Sequence, residues 1–425
     1  MKNNFIKNTL LLIIGGFITK ALGMIIKIIM TRNISTYSMS LYTLTLPTYN
    51  LFITIVTLSL TISISKLVSE NKMNKEKIMS SSLFLSIIVS IISIIILIIF
   101  IKPITLLLHN KELYYPLLSI ILSLPFISIS TCIRGYFFGK NKMFVQVISN
   151  LLEQLSRILS FILFLPKINN DIEAVTFIIG SNIFSEIVSI ITMTMFIPKN
   201  SLRLTKPDRS VTSELLKISV PTTLQKLISV ISYFFEPIVL TNLLIANGYT
   251  NNYISTEYGI INGYTIALLM LPSFFTNAIS QVIIPNISNA YINKKYKYIK
   301  TKIKEVLLLS LIIGISYTIV IMFNKEYIMN LIYNTNKGIK YINLIAPVFI
   351  LLYLEGPLNS ILQSFNKSKT ILLTSIIGII IKYISMIILS YLKFGIYSFI
   401  IPLLINIIIV VLLNSIKIIK EINSF

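Results

Sequence analysis

Twelve apolar runs follow one another through this chain, each about twenty residues long, the rise a helix needs to cross a bilayer. They fall at residues 9–31, 41–65, 79–101, 114–133, 144–165, 174–197, 215–240, 258–283, 306–323, 340–362, 370–391 and 396–416. Hydrocarbon offers backbone N–H and C=O groups no hydrogen-bond partner, so runs of this length cross as helices. A soluble core does not need 55% hydrophobic residues in a chain of 425. The mean hydropathy of +0.85 makes the same point. The fold class is therefore all-α, a polytopic membrane protein of about twelve transmembrane helices. The first run is too long for a signal-peptide core and no small-residue cleavage site follows it, so it reads as a retained helix.

The charges decide between two readings of a chain with net charge +22. Spread along a surface they would point to nucleic acid. Here they follow the loops: with both termini cytoplasmic, the inner segments hold 24 Lys and Arg and the outer ones 8. That bias is the positive-inside pattern, so the orientation is both termini cytoplasmic, and nucleic acid is excluded as a partner. The loop count takes Arg134 as the first residue after the fourth span. Five cations remain at hydrocarbon depth: Lys20, Lys27, Arg157, Lys226 and Lys382. Each costs about 3 kcal/mol at the centre of a spanning helix, so such a group faces a protein or water-filled interior.

Catalysis has little to work with. One cysteine, Cys132, and one histidine, His109 in a loop, make neither a disulfide nor a metal cluster. No phosphate-cradling glycine loop or Walker motif occurs. The expectation is a protein that is not an enzyme, with no catalytic residues, no metal and no cofactor. Its work is driven by an ion gradient, the membrane potential or a substrate gradient.

The polar stretch PKNSLRLTKPDRSVTSE, residues 198–214, reads as a linker between two six-helix lobes, 1–205 and 206–425. At an offset of 225, Pro47 meets Pro272, Asn141–Lys142 meets Asn366–Lys367, Arg157 meets Lys382 and Ser160 meets Ser385. The first helix of each half aligns at 206, which sets Lys20 against Lys226. These matches predict two pseudo-symmetric lobes running parallel, related by an axis along the membrane normal.

Lys20 and Lys27 are seven apart and so share a helical face. With Lys226, Arg157 and Lys382 they form a candidate set of cavity cations for an anionic substrate. Glu153 and Arg157 are spaced i, i+4 and can pair along one helix, as structure or as part of a site. Glu186, Glu236 and Glu355 supply further carboxylates at or near membrane depth, and all four acids are candidates for ion coupling or counter-charge. Prolines at 47, 125, 221, 272 and 347 lie in or at the start of spans and predict kinks. Asn262, Thr276, Asn277 and Asn359 either bond neighbouring helices or line a cavity.

Particular strings carry a resemblance. FITKALGMIIKIIMTR, LPTYNLF, SISKLVSE, IRGYFFGKNKM and LLEQLSRIL, in that order, resemble the first half of the SpoVB-like and MurJ-like flippases of the multidrug/oligosaccharidyl-lipid/polysaccharide exporter superfamily. LLKISVPTTLQKLISVISYFFEPIVL and YINLIAPVFILLYLEGPLNSILQSFNKSK continue it, and the likeness covers most of residues 5–370. The resemblance implies a V-shaped pair of lobes around a cationic cavity. It implies a flippase in the cytoplasmic membrane of a bacterium for undecaprenyl-pyrophosphate-linked saccharide, lipid II of peptidoglycan synthesis, working by alternating access. It places Lys20, Lys27 and Lys226 on basic positions of the first and seventh helices, with lysine where relatives often have arginine. Its expected partners are the lipid-linked substrate, the bilayer and the peptidoglycan synthesis machinery, around a monomer. Two other readings stay open: a cation-coupled multidrug exporter of the same superfamily, and a non-transport scaffold for envelope assembly.

Overall fold

The computed structural model of the chain describes residues 2–71, 73–197 and 205–424, and residues 198–204 of the expected linker lie outside that set. Among the described residues every regular element is a helix. Eleven segments are long and apolar enough to cross a membrane, and the bent pair Asn251–Leu269 and Ser273–Ser280 makes a twelfth when taken as one span. The protein is a multi-pass membrane protein. It divides into two compact units, Met1–Ile238 and Val239–Phe425.

The first unit is built from α1 (Lys2–Asn33), α2 (Thr36–Thr57), α3 (Leu60–Glu70), α4 (Lys75–Leu107), α5 (Tyr114–Gly139), α6 (Met143–Phe164), α7 (Asp171–Gly180), α8 (Asn182–Met195) and the first part of α9 (Arg209–Ala246). α2 and α3 are one span broken at Leu58 and Ser59, both left-handed at φ +42° and +49°. That conformation costs a residue with a side chain about 1–2 kcal/mol. α5 compensates the break with hydroxyls: Ser128 Oγ donates to the Val56 carbonyl at 3.2 Å. Thr61 Oγ1 in turn donates to the Thr131 carbonyl at 3.2 Å.

Glycines bring α3 against α5 at backbone distance. A Cβ on Gly139 would stand 2.6 Å from Val68 Cβ and 2.8 Å from the Ser65 carbonyl oxygen, and one on Gly135 2.9 Å from Ile64 Cβ. Small residues four apart allow this approach, and it supplies the packing that hydrophobicity cannot supply in lipid. Leu60, Ile64 and Val68 of α3 close a core with Ile133 and Phe137 of α5 and with Val211 and Leu215 of α9. The chain entering α9 is tied to α4: the Thr205 N–H donates to Ser80 Oγ and the Asp208 N–H to Ser81 Oγ, each at 2.9 Å. Asp208 caps α9 by accepting from the Ser210 N–H. Hydrogen bonds from the Ser210 hydroxyl and from Lys77 hold its carboxyl well below the usual carboxylate range.

The second unit continues through α10 (Asn251–Ile260), a π-helical stretch over Ile261–Ile266, α11 (Ala267–Leu269), α12 (Ser273–Ile292), α13 (Tyr296–Tyr333), α14 (Ile339–Ser364), α15 (Ser368–Tyr391) and α16 (Tyr397–Asn423). α14 is the helix that α12, α13 and α16 pack against. The run 258–283, expected as one span, is bent by 54° between Asn251–Leu269 and Ser273–Ser280. The cause lies in its backbone. Pro272 has no N–H for the Leu268 carbonyl, and the Ser273 N–H turns to Met270 at 3.1 Å instead of to Leu269. Two tyrosines add donors at these carbonyls: Tyr317 Oη donates to Leu268 O at 2.8 Å, which also accepts from the Leu271 N–H at 3.2 Å, and Tyr353 Oη donates to Leu269 O at 2.7 Å. Gly314 makes room for the second, since a Cβ there would lie 2.5 Å from Tyr353 Cδ2.

The α3–α5 contact yields a direct test. A methyl on Gly139 must displace the Ser65 backbone, so Gly139→Ala is expected to cost about 1–3 kcal/mol, in the range of overpacking. Gly16 has nothing within 4 Å of its Cβ position, so Gly16→Ala is expected to leave stability unchanged. Thermal unfolding of both variants in detergent, followed through tyrosine fluorescence, measures the difference.

Candidate functional site: a cationic pocket in the first unit

Helix α6 sets the site. It places Glu153, Arg157 and Phe161 at successive i, i+4 positions, and α1 lies along it. Between α6, α1, α2 and the junction of α7 and α8 is a pocket of about 250 Å³. Its walls are Gly23, Ile26, Lys27 and Met30 from α1; Tyr42, Leu46 and Tyr49 from α2; Gln154, Arg157 and Phe161 from α6; and Ile178, Ile179 and Asn182. Two cations, two phenols and two carboxamides thus face a space otherwise walled by apolar side chains.

Behind the pocket is a network of buried charges. Glu153, 8% exposed, receives Arg134 Nη2 on Oε2 at 2.6 Å and stands 3.5 Å from Arg157 Nη2 through Oε1. Arg134 also donates to Ser189 Oγ at 3.0 Å and approaches Glu186 at 3.7 Å. Glu186 accepts from Ser130 Oγ at 2.5 Å, and Arg157 donates to Ser185 Oγ at 3.1 Å. Two guanidinium groups are therefore balanced by two carboxylates. The contacts differ in quality, and Arg134 holds Glu153 closely while Arg157 holds it loosely. Each of the two guanidinium groups also keeps a buried Nε–H with no acceptor. Lys27 makes no ion pair with any carboxylate among the described residues. The network is neutral, and the pocket in front of it is cationic.

Of the residues singled out from sequence, the fold gathers Lys27, Arg157, Glu153 and Glu186 into this one region. Lys20 and Lys226 are exposed on α1 and α9 and are not among the pocket walls. Glu236 is buried in α9 at 4% exposed. Lys382 is in the second unit, buried in α15 at 8% exposed, with Nζ 5.5 Å from the centre of the Tyr383 ring. Glu355, on α14, is partly buried and has no ion pair or hydrogen bond among the described residues.

Arg134 corrects the sequence reading. Counted there with the loop after the fourth span, it lies inside α5, which runs on to Gly139. The signal was present: Tyr136, Phe137 and Phe138 continue the apolar pattern past it. The hydropathy window stopped because a charge ended the run, yet Arg134 is paid for by carboxylates on two other helices.

Removing one partner of a buried pair strands the others. Arg134→Gln leaves Glu153 and Glu186 facing a single guanidinium and is expected to cost about 3–5 kcal/mol. Arg134→Gln combined with Glu153→Gln restores the balance and is expected to recover most of that loss. Melting temperatures of the two variants in one detergent decide it; a double variant no more stable than the single would refute the charge-balance account.

Comparison with known proteins agrees with the fold. The family model described as "Polysaccharide biosynthesis protein" matches residues 5–291, and a second of the same description matches 287–422. Stage V sporulation protein B of Bacillus subtilis (strain 168) is 32% identical over 402 residues, covering 90% of this chain and 77% of the relative. Lipid II flippase MurJ of the same organism is 22% identical over 435 residues, with 90% and 77% covered. A multidrug resistance MATE family transporter of the MOP superfamily, solved inward-facing, superposes with TM-score 0.77 at 13% identity over 96% of this chain and 95% of that one. A likeness at that identity speaks for the fold. The sequence matches speak for descent, the all-α fold is that of the MATE family transporter, and this chain belongs to the polysaccharide biosynthesis protein family.

Proposed function

We propose that this protein flips an undecaprenyl-pyrophosphate-linked saccharide, lipid II, across the cytoplasmic membrane by alternating access, with the diphosphate held in the cationic pocket. One observation carries the reading: the pocket holds Lys27 without a carboxylate partner beside Arg157, whose contact with Glu153 is the looser of the two guanidinium contacts. A lipid diphosphate supplies both with acceptor oxygens that carry negative charge, while its prenyl tail stays in hydrocarbon. Arg157 releases its loose contact with Glu153 to meet the phosphate, and Arg134 keeps Glu153 neutralised when it does. Tyr42, Tyr49, Gln154 and Asn182 add neutral donors.

In this mechanism the exposed Lys20 and Lys226 attract the headgroup before and after it occupies the pocket, and Lys382 serves the second half of the path. Glu355, unpaired in α14, and Glu236 are the groups that couple turnover to an ion gradient. Both termini are cytoplasmic, the working unit is a monomer, and the flipped substrate passes to the peptidoglycan synthesis machinery. Relationship to a lipid II flippase supports this choice of substrate. A multidrug exporter for organic cations is disfavoured because the unpaired charge in the pocket is itself a cation.

Charge-assisted hydrogen bonds are worth about 1.5–3 kcal/mol each, so Lys27→Gln and Arg157→Gln are each expected to weaken binding of a short-chain prenyl diphosphate by about tenfold or more. Lys27→Arg is expected to retain it. In cells depleted of their own flippase, external labelling of lipid II should fall with Lys27→Gln, Lys20→Glu and Lys226→Glu. Full labelling in all three would refute the cationic-pocket mechanism. Labelling of a capsule precursor in place of lipid II would keep the mechanism and change the cargo.

A further inference from the structure

On the opposite side of α7 and α8 from the cationic pocket lies a larger crevice of about 690 Å³ between these helices and α5. Ile178, Ile179 and Asn182 face the pocket, while Phe177, Gly180 and Phe184 line the crevice. The crevice lies within two membrane-spanning segments, Lys111–Gly139 and Asp171–Met195. The hydroxyls of its serines and threonine bond within their own helices. Ser119 donates to Pro116 O at 2.7 Å, Thr176 to Ile172 O at 2.7 Å and Ser181 to Ile178 O at 2.8 Å. Each of these hydroxyls spends its hydrogen on its own helix, and Leu122, Ile172, Phe177, Ile183 and Phe184 make the walls mainly apolar. The volume is that of a small-molecule site.

The mouth has a different chemistry. Tyr115, Asn170 and Glu173 stand there, at the start of α5 and of α7. Asp171 beside them is already engaged, accepting from the hydroxyls of Ser35 and Ser38. Glu173 is exposed and forms no ion pair among the described residues. Asn170 uses its Oδ1 to cap α7 and leaves its amide hydrogens to donate. The mouth therefore offers two neutral donors and one uncommitted carboxylate above an apolar slot.

We propose that this crevice binds a membrane phospholipid with an amine headgroup, of the phosphatidylethanolamine type. The acyl chain lies along Phe177, Gly180 and Phe184, the phosphate accepts from Tyr115 and Asn170, and the ammonium meets Glu173. Charge complementarity selects this occupant: an anionic headgroup would sit against an unpaired carboxylate, and a prenyl diphosphate would do so with more charge. The site is separate from the Lys27 and Arg157 pocket and does not depend on what that pocket carries.

The test uses the full chain extracted from vesicles of equal phosphatidylethanolamine and phosphatidylglycerol, with native mass spectrometry of the retained lipid. A phosphatidylethanolamine probe with a diazirine on its acyl chain maps the site. The wild type is expected to retain the amine lipid over the anionic one by about fivefold, the worth of one exposed ion pair at about 1 kcal/mol. Glu173→Gln should bring that preference near parity. Gly180→Leu should reduce retention and labelling of residues 170–184 by about fivefold or more, because a side chain there enters the slot with only an ordinary 3.7 Å contact to Ser119. Should Gly180→Leu not fold, Thr176→Leu fills the same slot. Lys27→Gln should change neither reading, which separates this site from the transport pocket. Equal retention of the two lipids by the wild type, labelling unchanged in the filled variants, or labelling by a prenyl probe that the amine lipid does not compete would overturn the proposal.

Discussion

Hydrocarbon gives a polar group nothing to bond to, and the rest of this structure depends on how the chain meets that constraint. Regular helices meet it along most of each span. Where the helices break, side chains take over: Ser128 reaches the Val56 carbonyl at the α2–α3 break, and Tyr317 and Tyr353 reach the carbonyls of Leu268 and Leu269 beside Pro272. Both breaks sit against close helix contacts made with glycine, at Gly135 and Gly139 in one unit and Gly314 in the other. Close packing delivers the hydroxyl to the freed carbonyl, so packing and hydrogen bonding at these points are one device.

The same constraint governs the charges. A buried ion is tolerated when other ions and hydroxyls surround it, and Arg134, Glu153, Arg157 and Glu186 form such a set with Ser130, Ser185 and Ser189. The set is asymmetric, with one guanidinium tightly held and one loosely held at the edge of an open pocket. A loosely held cation beside a carboxylate that stays neutralised can take a new anion and return afterwards. That asymmetry, with Lys27 across the pocket, is what the proposed anion transport rests on.

Much of the architecture was legible in the apolar runs, because a membrane span needs length and hydropathy and little else. The pairing of Glu153 with Arg157 was legible too, since four residues on a helix make one turn. Arg134 was not. Its partners are 19 and 52 residues away, and a charge closing an apolar run looks the same whether a loop or a buried carboxylate follows. Lys20 and Lys27 share a helical face by spacing, yet Lys27 lines the pocket and Lys20 does not, because the neighbours that build the pocket come from α2, α6 and the α7–α8 junction. The bend at Met270–Pro272 was announced by its proline, but the tyrosines that stabilise it come from α13 and α14.

The sequence by itself determined the class of solvent, the helical fold and the presence of costly cations in the spans, because transfer into hydrocarbon is a property of each segment on its own. Only the tertiary structure decided which of those cations are neutralised, which is left loosely held and which stands without a partner. Those outcomes depend on distances between helices far apart in the chain, and at membrane depth a few ångströms separate a silent ion pair from an anion site.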